Sequence, residues 1–269
     1  MRNTPKNDGD YSDDTHDGLT FEVIEEEDTN EGEKVKRRGI YLWPNLITTA
    51  ALLSGFYSIV ASMDGHYLHA IYAIFIAALL DGLDGRVARA IGAQSPFGEQ
   101  FDSLSDLIAF GVAPAILMYS WDLHELGRIG LACCFVYTAC GAFRLARFNV
   151  QIGIVDKRYF IGIASPLAAI LVICLVWVSK DYPELFTLKE RTTQIFYAVI
   201  MVVVGLLMIS NVKYYSFKQM DRKRVPFIFM LPVVLILAAM TYNIPVGILI
   251  VCSLYALSGF VTTFLARRH

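Results

Sequence analysis

Four aspartates, Asp81, Asp84, Asp102 and Asp106, fall within the stretch DGLDGRVARAIGAQSPFGEQFDSLSD of a chain that is otherwise strongly apolar. Asp81 and Asp84 are three residues apart and Asp102 and Asp106 are four apart; on a helix either spacing puts both carboxylates on one face. Apolar runs flank the stretch, Ala70 to Leu80 before it and Leu107 to Tyr119 after it, so each pair is expected at the end of a membrane-grade helix. Carboxylates in lipid are costly and mark function by default, and four held together would repel one another unless cations sat among them. Hard divalent ions with oxygen ligands, Mg²⁺ or Mn²⁺, meet that requirement, and the simplest arrangement is a two-metal site. Gly82, Gly85 and Gly98 leave room for a ligand to approach the backbone. Arg86 and Arg89 follow on the same helix, where a guanidinium can hold phosphate oxygens. Metals, open backbone and arginine together describe a diphosphate site.

The elements that must position these groups are membrane helices. The 269 residues are 55% hydrophobic and the mean hydropathy is +0.49, too apolar for an ordinary soluble domain. Apolar segments fall at about 44–63, 68–88, 102–121, 128–148, 162–179, 193–210, 226–242 and 245–265. The expected fold is all-α, a polytopic integral membrane helical bundle of about eight transmembrane helices with a cytoplasm-facing metal site. The last two spans are divided only by Tyr242-Asn243-Ile244-Pro245, and a single kinked segment is the alternative there. Eight spans put both termini on one side. Outside the distal tail, 17 basic residues then lie on the side of the aspartates and 4 on the other, namely Arg128, Lys180, Lys189 and Arg191, which makes the aspartate side cytoplasmic by the positive-inside rule.

The acids are unevenly spread: 12 of 25 lie in the first 33 residues. Residues 1–39 are read as an acidic, disordered cytoplasmic tail ending in the basic juxtamembrane cluster Lys34 to Arg38, and residues 40–269 as the membrane domain. Cys133, Cys134, Cys140, Cys174 and Cys252 lie in apolar runs without metal-ligand spacing and are expected to pack. His66 and His69 fall on the side opposite the aspartates and are given no catalytic role.

The positions Asp81, Asp84-Gly85, Ala88-Arg89, Gly98, Asp102 and Asp106 resemble, with none missing, the signature of the CDP-alcohol phosphatidyltransferases. The DGLDGRVAR form of the motif and the later Arg144-Leu145-Ala146-Arg147-Phe148-Asn149 resemble the phosphatidylserine synthase branch of that family. The resemblance implies transfer of a phosphatidyl group from CDP-diacylglycerol to L-serine with release of CMP, in a homodimer of the bacterial inner membrane. Asp81, Asp84, Asp102 and Asp106 would be the metal ligands, with Asp106 also the base for the serine hydroxyl. Asn45 and Thr48, in a PNxxT element, would join Gly85, Arg89 and Gly98 in binding the donor, while Ala51 stands where relatives often carry asparagine. Arg144, Arg147 and Asn149 would bind the acceptor's carboxylate or the lipid phosphate.

Gly162 and Ser165-Pro166 resemble an FxGxxSP element, with Ala164 in place of proline; Ser165 is expected to cap a helix. Phe97 and Phe110 are packing or acyl-chain candidates. No activated Ser, Cys or His stands out as a nucleophile, so direct in-line displacement is favoured. Two alternatives stay open on the residues alone: another acceptor (glycerol 3-phosphate, inositol phosphate or choline), and a divalent-cation carrier.

Overall fold

The computed structural model describes residues 42–92, 95–151, 159–186, 190–215 and 243–266. The acidic tail, the basic cluster at 34–38, the expected span at 226–242 and the basic residues Lys157, Arg158, Lys218, Arg222, Lys223 and Arg224 lie outside them.

Helices α1 (Leu42–Met63) and α2 (Tyr67–Ala90) form an antiparallel hairpin. Hydroxyls tie the two backbones together: Ser54 Oγ donates to the Ala73 carbonyl at 2.8 Å and Ser58 Oγ to the Ala70 carbonyl at 2.9 Å. Small and hydroxylated residues let membrane helices approach closely in this way. Helix α2 does not stop at its aspartates. It runs on through DGLDGRVARA and closes at Gly92 with φ +65°, the left-handed position that favours glycine. Asp81 and Asp84 therefore lie about two turns inside the helix end.

Helix α3 (Pro96–Asp106) begins six residues before the expected 102. Ser95 is its N-cap, accepting the Gly98 N–H at 2.9 Å, with Pro96 in the first turn. The stretch is polar, so apolar periodicity alone places its start too late. A π-helical segment (Leu107–Val112) follows directly on Asp106 and leads into α4 (Ala113–Trp121), so that 96–121 forms one long apolar rod. It runs alongside α1. A Cβ on Gly55 of α1 would fall 2.8 Å from Ala109 Cα, so this contact requires glycine.

Helix α5 (Arg128–Gln151) returns antiparallel to that rod and supplies hydrogen bonds to the π segment's carbonyls. Tyr137 Oη donates to Phe110 O at 3.0 Å and Thr138 Oγ1 to Gly111 O at 3.2 Å. Helix α6 (Ser165–Asp181) is the most enclosed element: Ala168, Val172, Ile173, Cys174 and Val176 are fully buried. Helix α7 (Glu190–Ile209) packs on α5 through Gly205. The described residues depart from an all-helical fold in a two-stranded antiparallel ribbon of β1 (Tyr159–Ile161) and β2 (Lys213–Tyr215), which pairs Tyr159 with Tyr215. Gly162 follows at φ +77°, its N–H on Val212 O at 2.9 Å.

Helix α8 (Ile244–Ala266) starts at a cap, Asn243 Oδ1 accepting from Val246 N at 3.1 Å; the segment before it, on which the kinked alternative turns, lies outside the described residues. Of the expected spans, 44–63, 68–88, 102–121, 128–148 and 193–210 match helical stretches long and apolar enough to cross a bilayer. Those at 162–179 and 245–265 match α6 and α8. Leu53, Phe56, Leu79, Phe135, Val199 and Leu254 face outward, as they would toward lipid. The chain is a multi-pass membrane protein. All five cysteines are free, and four of them are buried.

Gly55→Val should destabilise the protein by about 2 kcal/mol through overpacking, read as a lower thermal midpoint in detergent; an unchanged midpoint would mean that α1 and the π segment do not meet this closely.

Candidate active site

Asp81 comes from α2, Asp102 and Asp106 from α3. Oxygens of these three carboxylates lie within 4.8 Å of one another. They share this space because α1 holds both helices: Thr48 contacts Asp84 on α2, while Ser105 Oγ of α3 donates to Thr48 O at 3.2 Å. Among the described residues no lysine or arginine nitrogen is within ion-pairing distance of them. A purely oxygen donor set of this density fits a hard divalent cation.

Asp84 behaves differently from the other three. Its Oδ2 accepts the Thr48 hydroxyl at 2.7 Å, its Oδ1 accepts the Gly85 N–H, and the residue is buried at 4% exposure. It lines a cleft of about 370 Å³ together with Pro44, Arg89, Gly98, Asp102 and Asn149. Asp102 belongs to both the cleft and the carboxylate trio, and so joins a nucleotide-sized space to a cation-sized one.

The expected donor residues are largely brought together. Thr48, Gly85, Arg89 and Gly98 line the cleft; Arg86 is exposed and does not. Asn45 stands at its edge: a Cβ on Gly98 would come to 3.1 Å from Ser95 Oγ and 3.5 Å from Asn45 Oδ1, so glycine there keeps the cleft wall thin. Gly82 faces open space. Ala51 is buried in packing. Phe110 is wholly buried in the core, whereas Phe97 is exposed and stacks on Phe101.

The three acceptor candidates separate. Arg144 Nη1 donates to Ser165 Oγ at 2.8 Å. Arg147 turns to the end of α7, donating to Ile209 O at 3.3 Å and Asn211 Oδ1 at 2.9 Å, as a cation does at a helix C-terminus. Asn149 lies in the cleft, its Nδ2 on Ser103 Oγ at 3.1 Å and Gln100 Oε1 at 3.2 Å. The cap of α6 is Ala164 and not Ser165, which sits in the first turn and is buried at 2%. Sequence reasoning missed Ser95, Gln100 and Ser103, small polar residues common at any helix start; the Ser95-Pro96 pair was the one available signal.

The sequence profile of the CDP-alcohol phosphatidyltransferases matches residues 41–212. The chain belongs to the CDP-alcohol phosphatidyltransferase family. Membership removes the divalent-cation carrier alternative. Among curated relatives, a protein of Helicobacter pylori (strain 26695) named CDP-diacylglycerol–serine O-phosphatidyltransferase is 40% identical over 192 residues, covering 71% of this chain and 79% of its own. A Bacillus subtilis (strain 168) protein of the same name is 35% identical over 177 residues, 65% of this chain and 91% of its own. A protein of Methanothermobacter thermautotrophicus named archaetidylserine synthase is 38% identical over 173 residues, 64% of this chain and 68% of its own.

For this phosphatidyltransferase, Asp102→Asn should weaken Mn²⁺ binding by more than tenfold in calorimetric titration of detergent-solubilised protein, while Thr48→Val, which removes a hydrogen bond to Asp84 and none to the trio, should cost less. Unchanged affinity in Asp102→Asn would separate the trio from cation binding.

Proposed function

We propose that this chain transfers the phosphatidyl group of CDP-diacylglycerol to the hydroxyl of L-serine, giving phosphatidylserine and CMP. The observation that carries the reading is the convergence of Asp81, Asp102 and Asp106 at the end of a cleft that Asp84, Arg89 and Gly98 line. The names of the relatives favour serine over other alcohols.

The carboxylate oxygens of Asp81, Asp102 and Asp106 would hold the divalent ions, two of them and Mg²⁺ or Mn²⁺, with Asp84 completing the set from the cleft side. When bound, such ions neutralise the diphosphate and stabilise charge on the attacking and leaving oxygens. Arg89 holds donor phosphate oxygens in the cleft, and Gly85 and Gly98 let the nucleotide lie against backbone. Asn45 and Thr48 fix the nucleotide end, Thr48 by keeping the Asp84 carboxylate turned into the cleft. Asp106 accepts the proton of the serine hydroxyl as its oxygen bonds to the phosphatidyl phosphorus. The bond from that phosphorus to the CMP oxygen breaks in line. Arg144 is the charge that would meet the serine carboxylate, with Arg147 and Asn149 bracing the same helix end from α7 and α3.

The basic residues of the described helix ends support a cytoplasmic site. Arg86, Arg89, Arg144 and Arg147 lie on its side; Arg128, Lys180 and Arg191 stand at the other ends of α5, α6 and α7. Both termini would then be cytoplasmic, in a bacterial inner membrane, with residues 1–39 as a tail, 40–269 as the membrane domain, and two copies forming a homodimer.

Detergent-purified protein given CDP-diacylglycerol and Mn²⁺ should release CMP on addition of L-serine, and EDTA should stop it; release only with glycerol 3-phosphate, inositol phosphate or choline would replace the acceptor. Asp106→Asn should lower kcat by at least about a hundredfold and leave donor binding largely intact; undiminished turnover would remove Asp106 as the base.

A further inference from the structure

The half-buried Arg144 is held in an unusual state. Its Nη1 is fixed on Ser165 Oγ at 2.8 Å, yet its Nε is buried and has no hydrogen-bond partner. A guanidinium carries five donors in a rigid fork, and leaving one of them buried and unpaired is expensive. Arg144 feels the charge of Asp106, whose carboxylate already belongs to the trio. The Nε donor is therefore left vacant inside the bundle. Guanidinium groups bind carboxylates in a bidentate manner along such an edge.

Ser165 decides which edge that is. It is buried at 2% in the first turn of α6, behind the extended Ala164 and ahead of Pro166. The preceding residues are pinned to the end of α7 and the segment just after it, with Ile163 N on Leu207 O and Gly162 N on Val212 O. The hydroxyl thus stands on a rigid mount. By engaging Nη1 it leaves the Nε edge of the fork as the one still open to a ligand.

Resting on the serine reading above, the geometry points to Ser165 as the positioning residue for the acceptor: it locks the Arg144 fork so that its Nε edge receives the carboxylate of serine, and so sets selection against alcohols that lack one. Ser165 does not touch the donor and transfers no proton. A merely structural tie between α5 and α6 would alter stability without sorting acceptors.

The test is steady-state CMP release by the purified full chain, with the KM for L-serine and for CDP-diacylglycerol measured separately. Ethanolamine serves as the comparison acceptor, since it keeps the hydroxyl and amine of serine and lacks the carboxylate. Ser165→Ala should raise the serine KM about tenfold, the factor expected for loss of one hydrogen bond to a charged group. The CDP-diacylglycerol KM should stay within about twofold, the preference for serine over ethanolamine should shrink, and Ser165→Thr should restore both. Ser165→Cys keeps the volume while weakening the acceptor atom, and carries the same expectation should the alanine protein fail to fold. An unchanged serine KM in the folded variants would overturn the inference, as would a rise confined to the CDP-diacylglycerol KM, which would place Arg144 on the lipid phosphate. Failure of the unaltered protein to use serine, seen in the same assay, would instead overturn the functional reading beneath it.

Discussion

Mutual repulsion among carboxylates is the constraint on which the rest of this protein depends. Three of them are packed into a few ångströms within helices that otherwise present aliphatic surface, and nothing in an apolar bundle would bring them together spontaneously. Hydrophobic matching to the bilayer aligns the helices along one direction but leaves their rotation free. Rotation is set by polar contacts between backbones. Thr48 sits at the centre of these, its hydroxyl on the Asp84 carboxylate and its carbonyl under the Ser105 hydroxyl. One residue of α1 thereby fixes the facing edges of α2 and α3. The facing of α2 and α3 that brings the acids together thus includes these hydrogen bonds beside the packing of the apolar core.

The four acids are unequally divided. Asp84 is satisfied by protein donors and belongs to the cleft, whereas Asp81 and Asp106 lie outside its lining and Asp102 is shared. A diphosphate laid along the cleft would thus pass from protein hydrogen bonds and Arg89 toward the concentrated negative charge. On the proposed function, the soluble nucleotide end and the reacting phosphorus would be served by different chemistry on the same two helices.

Much of this was legible from residue order. Long apolar runs bounded by polar turns announce membrane helices, and acids placed within such runs announce a site; both readings rest on composition that no tertiary contact can override. The start of α3 escaped because 96–106 is polar and apolar periodicity does not reach it, although Ser95 and Pro96 carry a local start signal. The parting of Arg144 from Arg147 was not legible. Three residues separate them on one helix, and only the arrival of α6 beside one and the end of α7 beside the other sends them to different partners. Equally hidden was the separation of Asp84 from the trio, which depends on a hydroxyl 36 residues earlier.

The π segment after Asp106 has a further meaning. Hydrogen bonding in a π turn runs from i to i+5, so across Leu107–Val112 the angular phase of the rod slips relative to an unbroken α-helix. The half that carries Asp102 and Asp106 and the apolar half after it are consequently joined at a fixed angular offset that an unbroken α-helix would not give. Tyr137 and Thr138, whose hydroxyls take the Phe110 and Gly111 carbonyls, hold that offset, and beyond it Ala113, Pro114, Ala115, Leu117 and Met118 are turned into the core.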